Sequence, residues 1–213
     1  MNGIFNGKTV AFVGQAPILE RKRLGPEIDK HDIVYRTNIF PIRNEADYGK
    51  KCNVISILPR FNEIIKTVDV KNLILFDEAA EIRFNQSKYI VTKDERKQIA
   101  AWALDEHNLD IISPTAGLVA YWLAMKFGAA SVKFYGITGY QNKSGEVADH
   151  INEKHYTDSV YEWTGTPRNS VTADMKNYKF HNFTNQNDLF RILLRQELIQ
   201  MDKYSLEYFK PTP

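Results

Sequence analysis

Short apolar runs of strand length alternate with helical patterns along the chain, and this alternation constrains the fold most strongly. The runs are apolar throughout, which is typical of strands buried on both faces of a parallel sheet. We therefore predict an α/β fold with a mostly parallel sheet and helices on both faces. The predicted strands are 9–13, 33–37, 52–58, 73–76, 89–91, 109–112 and 132–135. The predicted helices are 26–29, 61–68, 94–107, with Thr92 and Glu95 as a capping box, and 115–127.

Composition and charge narrow the class of protein. The chain has 213 residues, 28 basic and 26 acidic side chains, and a formal charge of +2, which gives no electrostatic case for a nucleic-acid binder. Cys52 is the single cysteine, so no intramolecular disulfide forms and a structural thiol is expected. We expect one domain over residues 1–213, with no signal peptide and no membrane span. The amphipathic stretch 189–201 is expected to dock on the core, the alternative being a membrane-surface helix.

Ligands of parallel α/β sheets bind outside the carboxyl ends of the strands. The candidate site segments are therefore 14–19, 36–38, 113–117 and 136–140. Gly14 fits either an ordinary turn or a close backbone approach to a ligand. Arg36 fits either a phosphate or an internal carboxylate. Ser113 or Thr115 can cap the following helix, and the same helix N-terminus can also hold a phosphate.

Two histidines are candidates for proton transfer, because imidazole titrates near neutral pH. These are His155 and His181, and a purely structural role is the alternative for each. His150 and His155 are poorly spaced for a metal pair, and no Asp-x-Asp clamp occurs, so no metal site is predicted. The polar segment 139–177 has the length of a mobile lid, which we expect to close over a bound ligand.

Taken in order, these pieces resemble the sialyltransferase family of eukaryotes and some viruses and bacteria. Residues 10–49 are similar to its long motif, through Val13-Gly14, Leu24-Gly25-Pro26-Glu27-Ile28-Asp29, His31-Asp32-Ile33-Val34, Arg36-Thr37-Asn38, Pro41 and Asp47-Tyr48-Gly49. Residues 114–136 resemble the second motif, with its Pro-Thr-x-Gly start and Tyr-Gly end. His155-Tyr156-Thr157-Asp158 and Phe180-His181-Asn182-Phe183 resemble the third and last motifs.

The resemblance implies a single Rossmann-like nucleotide-binding domain, a sialyltransferase-type variant of the glycosyltransferase A fold. It implies an inverting, metal-independent glycosyltransferase that moves sialic acid, or a related acid such as Kdo, from a CMP-sugar to a glycan hydroxyl. The donor is a substrate, and no further cofactor is implied. His181 would be the general base, and His155 would stabilise the leaving phosphate. The implied donor-binding residues are Gly14, Gln15, Asn38, Thr115, Ala116, Gly117, Tyr135, Gly136 and Tyr156.

Three positions depart from the family pattern. Gln15 and Ile18 stand where the family has asparagines, so a contact to CMP is lost or rebuilt. Gln186 stands where the family has a glutamate, so the base would lack a charged partner. Two alternatives follow: a catalytically reduced nucleotide-binding module of the same fold, or a transferase or hydrolase acting on a nucleotide or modified nucleic acid. With no membrane stem expected, we predict a cytoplasmic protein of bacterial or viral (phage) origin.

Overall fold

A computed structural model describes residues 3–14, 16–37, 44–57, 72–75, 87–141, 143–144 and 182–210. Seven strands in this part of the chain form one sheet, in the order β5-β4-β3-β2-β1-β6-β7. The strands are β1 (Thr9–Val13), β2 (Ile33–Thr37), β3 (Val54–Ile57), β4 (Asn72–Leu75), β5 (Ser87–Ile90), β6 (Ser131–Tyr135) and β7 (Gln200–Met201). Every neighbouring pair is parallel, so the predicted parallel α/β sheet is confirmed.

Six α-helices lie in the described part of the chain. They are α1 (Gly25–Asp29), α2 (Glu45–Tyr48), α3 (Lys93–His107), α4 (Ala116–Lys126), α5 (Phe183–Arg195) and α6 (Lys203–Leu206), with a short 3-10 helix at Pro17–Leu19. The capping box of α3 is present as predicted, because the Thr92 side chain accepts from the Glu95 N–H and the Glu95 carboxylate accepts from the Thr92 N–H. The predicted helix 61–68 lies outside the described residues.

The predicted strand at 109–112 is wrong. Helix α3 ends at His107. Its C-cap residue, Asn108, has a left-handed φ of 55°, and the next amide, Leu109 N–H, donates back to Ala103 O over 3.1 Å. The chain therefore turns at the helix end and does not extend into a strand. Both edges of β6 are already paired, with β1 and β7, so that strand leaves no vacant edge for this segment. Ile111 is buried and Ile112 is exposed.

Side chains of β1 divide between the two faces of the sheet. Val10 and Phe12 belong to one apolar cluster, which also contains residues of α3, α4 and α5. Ala11 and Val13 belong to a second cluster, with residues of α1 and α2 and with Tyr204 of α6 packed against it. Because successive side chains of a strand point to opposite faces, this division confirms helices on both faces.

Helix α4 is largely apolar and helix α5 is amphipathic, because the two helices are buried to different extents. Helix α4 buries six side chains, while α5 buries one stripe that includes Leu189, Phe190 and Leu193. This confirms core docking for the helical part of stretch 189–201. None of the helices in the described ranges has the length and apolar character that crossing a bilayer requires.

Candidate functional site

The sheet reverses its strand order at β1. Strands β2 to β5 follow on one side of β1, and β6 and β7 follow on the other. Such a switch point leaves a crevice at the carboxyl ends of the two central strands, where α/β proteins bind their ligands. Here those ends are Val13 of β1 and Tyr135 of β6, which pair directly in the sheet.

The two strand exits at this switch point are held together by their backbones. Gly14 N–H donates to Tyr135 O over 2.8 Å, and Ala16 N–H donates to Gly136 O over 3.1 Å. A Cβ on Gly14 would lie 2.5 Å from Gly136 O and 2.7 Å from the Ile137 side chain, so no other residue fits without movement. Gly14 thus has a packing reason to be glycine, in addition to any role toward a ligand.

Asp202, directly after β7, fixes the exit of β6. Its buried carboxylate accepts from Gly136 N–H at 3.0 Å and from the backbone N–H groups of Tyr204 and Ser205. The Ser205 hydroxyl also bonds this carboxylate and accepts from Ile137 N–H at 3.1 Å. Sequence reasoning missed Asp202. An acid after a very short apolar run is its only local signal.

Helix α4 places its N-terminus at the same edge of the sheet. The helix leads into β6, whose first residue is at the amino edge, so α4 begins at the carboxyl edge. Thr115 is its N-cap residue, as predicted, but the Thr115 side chain makes no capping hydrogen bond. Helix geometry leaves the first backbone N–H groups, which include those of Ala116 and Gly117, without intrahelical partners. Thr115, Ala116 and Gly117 are all half-buried, so the N-terminus is accessible from outside.

The start of α5 is docked beside the start of α4. Gln186 is 1% exposed; its Oε1 accepts from Thr115 N–H at 2.6 Å, and its Nε2 donates to Ser113 O at 3.0 Å. The next residue, Asn187, donates to Gly139 O at 2.8 Å, at the base of the predicted lid segment. Helix α5 therefore contacts both loops that flank the crevice. Sequence reasoning singled out Gln186 but expected a different partner for it.

Much of the long motif serves the fold around the switch point. The buried Arg36 guanidinium donates to three backbone carbonyls, those of Lys51, Tyr48 and Gly49. All three of these partners are backbone carbonyls of residues 48–51. Burial lowers the pKa of Arg36 to about 10. This value is still well above neutral pH, so the side chain stays charged. The three carbonyls, from one loop, explain why a guanidinium is needed here.

Two acids of the same motif hold its loops by accepting backbone N–H groups. The Asp47 carboxylate accepts from Arg21 N–H at 2.7 Å and Arg23 N–H at 2.8 Å, and both arginines have left-handed φ values, of 61° and 56°. Asp29 accepts from the N–H groups of Lys50 and Lys51 at 3.0 and 2.9 Å. These bonds stabilise turns that the backbone does not favour by itself.

Two further side chains, those of Tyr135 and Cys52, are chemically quiet. Tyr135, predicted to bind donor, is fully buried, and its hydroxyl donates to Glu27 Oε1 at 2.9 Å. Burial and the Glu27 contact raise the pKa of Tyr135 well above its ordinary value. Burial raises the pKa of Cys52 to about 11, so the free thiol stays protonated at neutral pH. This agrees with a structural thiol.

The structure thus brings Gly14, Gly136 and residues 115–117 to one edge of the sheet. Five other predicted site residues lie outside the described part of the chain: Gln15, Asn38, His155, Tyr156 and His181. Most of the predicted lid, 139–177, also lies outside it. Within the described ranges no cluster of three or more His, Cys, Asp or Glu side chains is placed to hold a metal ion.

Comparison with protein families and known proteins points to one group. Residues 6–72 match the model of glycosyltransferase family 29 (sialyltransferase). The mouse (Mus musculus) alpha-2,8-sialyltransferase 8F is 43% identical over 51 residues, which cover 23% of this chain. The matched segment spans only 13% of the mouse protein's length.

Solved structures share the fold over most of the chain. A mammalian sialyltransferase in complex with Gal-beta-1-3GalNAc-ortho-nitrophenol aligns with a TM-score of 0.54 and 18% identity, covering 92% of this chain and 70% of its own. A variant of the sialyltransferase CST-II in complex with CMP aligns with a TM-score of 0.53 and 17% identity, covering 91% and 80%. At these identities the likeness shows the fold alone.

Proposed function

We propose that the chain is a glycosyltransferase of the sialyltransferase type, which moves a sugar from a CMP-sugar donor to an acceptor hydroxyl; the family match over residues 6–72 and the shared fold support this. In the finer form of the proposal, the sugar is a sialic acid or a related acid such as Kdo, and the acceptor is a glycan. The transfer inverts the anomeric centre and needs neither a metal ion nor a cofactor besides the donor.

The uncapped N-terminus of α4 at the strand-order switch point is the observation that carries this proposal. The helix begins at the carboxyl edge of the sheet, where the positive end of its dipole favours an anion such as the donor phosphate. The Thr115 hydroxyl, which makes no cap, is available to bind the nucleotide. Gly14 and Gly136 bring the β1 and β6 backbones together at the same edge.

The proposed chemistry is a single displacement. The acceptor oxygen attacks the anomeric carbon, the bond from that carbon to the phosphate oxygen breaks, and CMP leaves with the electron pair. His181 takes the proton of the acceptor hydroxyl, and His155, with Tyr156, neutralises charge on the departing phosphate. Attack opposite to the leaving group inverts the configuration. A phosphate leaves readily once its charge is neutralised by oriented donors, so the proposal includes no metal.

CMP is the first nucleotide to test, because CST-II, a sialyltransferase of the same fold, binds it in a solved complex. We propose a thermal-shift comparison of CMP, CDP, UMP, UDP, GDP, AMP and NAD with the full chain. A ligand of the native state raises the melting temperature by mass action, so selectivity is read directly. The proposal predicts the largest shift with CMP. A larger shift with UDP, GDP or NAD would show that the donor class is wrong.

A matched pair of variants locates the binding site. Thr115→Ala removes the uncapped hydroxyl at the carboxyl edge, and we expect it to reduce the shift caused by CMP. Ser131→Ala removes a hydroxyl at the amino edge, where β6 begins, and should leave the shift unchanged. Equal shifts for both variants would remove Thr115 from the site. A CMP-sugar transfer assay in excess EDTA then tests the metal-independent form of the proposal.

A further inference from the structure

The Gln186 side chain is a two-point clamp on the start of α4. Its carbonyl oxygen accepts from Thr115 N–H and its amide nitrogen donates to Ser113 O, 71 and 73 positions away in sequence. The two partners are a donor and an acceptor, so they fix the orientation of the amide: the reversed amide would oppose N–H to N–H and oxygen to oxygen. With 1% exposure, water does not replace either bond.

A carboxylate at this position makes only half of the clamp. An ionised carboxylate accepts from Thr115 N–H, but it has no proton to donate to Ser113 O and would place negative charge against that carbonyl. A protonated carboxylic acid restores the donor and reproduces the geometry of glutamine. The local structure therefore specifies a neutral group with one donor and one acceptor.

Neighbouring contacts hold the clamp in place. Asn185 Nδ2 donates to Asp110 O at 2.8 Å, on the same loop that Gln186 binds, and Asn182 accepts from Asn185 N–H as the cap of α5. These bonds hold both the start of α5 and the loop that Gln186 binds, and so they fix the position of the Gln186 side chain. A movement of α5 would therefore displace residues 113–115, which these bonds hold, and with them the N-terminus of α4.

We propose that Gln186 is a positioning residue for the donor site: its carboxamide orients the 113–115 turn and the N-terminal amides of α4, which a carboxylate cannot do. This rests on the proposed function, because those amides are the proposed phosphate site. It differs from the expectation drawn from the family pattern, in which an acid at this position would partner the base and glutamine would weaken it. The two accounts predict opposite results for Gln186→Glu.

Among the residues that the structure describes, the charged groups around position 186 leave burial as the main influence on the pKa of a carboxyl group introduced there. Asp110 is the charged residue of the adjoining loop, and α4 carries none before Lys126. His107 ends α3, and on α5 Asp188 pairs with Arg191 at 2.7 Å. Burial disfavours the charged form of a carboxyl group and raises its pKa, by as much as several units when fully buried. The new carboxyl group of the Gln186→Glu variant is therefore expected to be neutral at about pH 5.5 and ionised at higher pH.

The test measures CMP affinity of the wild-type chain and Gln186→Glu by calorimetry at about pH 5.5 and about pH 8.5. The affinity ratio of variant to wild type is compared at each pH, which cancels the titration of the CMP phosphate itself. We expect near-equal affinity at the lower pH and about tenfold weaker binding by the variant at the higher pH, the effect of one unsatisfied buried group. Gln196→Glu, the same change at the exposed end of α5, is the matched control and should show a ratio close to one at both pH values.

Other outcomes overturn the proposal. Wild-type affinity for Gln186→Glu at the higher pH, with only a lower melting temperature, would make Gln186 structural and nothing more. A faster transfer rate for Gln186→Glu would favour the base-partner account. Gln186→Met, a neutral variant of similar length, should lose affinity equally at both pH values, and it keeps the test decisive if Gln186→Glu unfolds. If the wild-type chain does not bind CMP, the proposed function itself is wrong. A failure of the Gln186 proposal shows only in the variants, so the two failures are distinguishable.

Discussion

The Asp202 carboxylate accepts a hydrogen bond from the backbone N–H of Gly136 over 3.0 Å, across a sequence separation of 66 residues. Through it, the short strand β7 determines where the exit of β6 lies. Gly136 O in turn accepts from Ala16 N–H, so the link continues to the exit of β1. The position of both central strand ends thus depends on an acid near the end of the described chain.

Replacing Asp202 by asparagine should destabilise the fold and weaken CMP binding. The carboxylate accepts from three backbone N–H groups and one hydroxyl, whereas an amide would point an NH₂ group at some of these donors. We expect the free energy of unfolding in urea to fall by about 2 kcal/mol. Asp94→Asn, at an exposed pair with Lys97, should change it by less than about 0.5 kcal/mol. Equal losses for both variants would contradict this role of Asp202.

The two glycines of the site should respond oppositely to alanine. Gly14→Ala places a Cβ 2.5 Å from Gly136 O, a backbone atom, so we expect a loss of about 2 to 4 kcal/mol in stability and weaker CMP binding. Gly117→Ala places its Cβ 3.5 Å from the Phe190 ring, in ordinary contact with the core. We expect Gly117→Ala to be folded, of equal or higher melting temperature, and still able to bind CMP.

Thermal melts of the two alanine variants with and without CMP check this comparison. Loss of CMP binding in Gly117→Ala without loss of stability would show that the ligand approaches Gly117 from the side of its Cβ. Unchanged stability in Gly14→Ala would show that the β1 and β6 exits are free to separate.

An ion pair near the edge of the sheet should make stability depend on pH. Lys126 Nζ lies 2.5 Å from Glu95 Oε1, and the Tyr89 hydroxyl donates to the same oxygen. Burial opposes ionisation of Glu95, but the bonds from Lys126 and Tyr89 outweigh it and lower the pKa of Glu95. The bond to Glu95 raises the pKa of Lys126. The stabilisation is thus complete near neutral pH, and is lost as pH falls through the pKa of Glu95 or rises through that of Lys126.

Lys126→Met measures this contribution. With the Lys126 side chain 38% exposed, we expect a loss of about 1 kcal/mol at pH 7 after allowance for solvent screening. The difference from wild type should shrink at acid pH, as Glu95 becomes protonated below the ordinary range of a glutamate carboxyl. Urea unfolding at neutral and at acid pH gives the comparison, with Lys97→Met as an exposed control. A difference that stays constant with pH would mean that Lys126 acts through packing alone.

The two proposed catalytic histidines should separate in their kinetics. His181→Ala should keep CMP affinity and abolish transfer, because it removes only the base for the acceptor hydroxyl. His155→Ala should mainly slow the chemical step, by about a hundredfold or more, because neutralisation of the leaving phosphate is lost. Calorimetry with CMP and single-turnover transfer measure the two effects. Full activity in His181→Ala would remove it from the mechanism.

Local patterns were enough to predict most of the architecture. The bounds of β1 and β2 and the capping box of α3 agree with the sequence prediction, because apolar periodicity and capping act within a few residues. The shared edge of Gly14, Gly136 and residues 115–117 was also predictable, since parallel strands end at one edge. The prediction of a strand at 109–112 was wrong, because an apolar run does not indicate whether a neighbouring strand edge is vacant.

The sequence by itself determined the parallel α/β sheet and the meeting of Gly14, Gly136 and residues 115–117 at one edge of it, and its long motif carries the similarity to glycosyltransferase family 29 over residues 6–72. Only the tertiary structure decided what individual motif residues contact: Arg36 binds three backbone carbonyls, and Gln186 binds Ser113 and Thr115. Periodicity and turn chemistry depend only on residues that are close together in the sequence. The partner of a buried polar side chain depends on which distant segments the completed sheet brings within hydrogen-bonding distance.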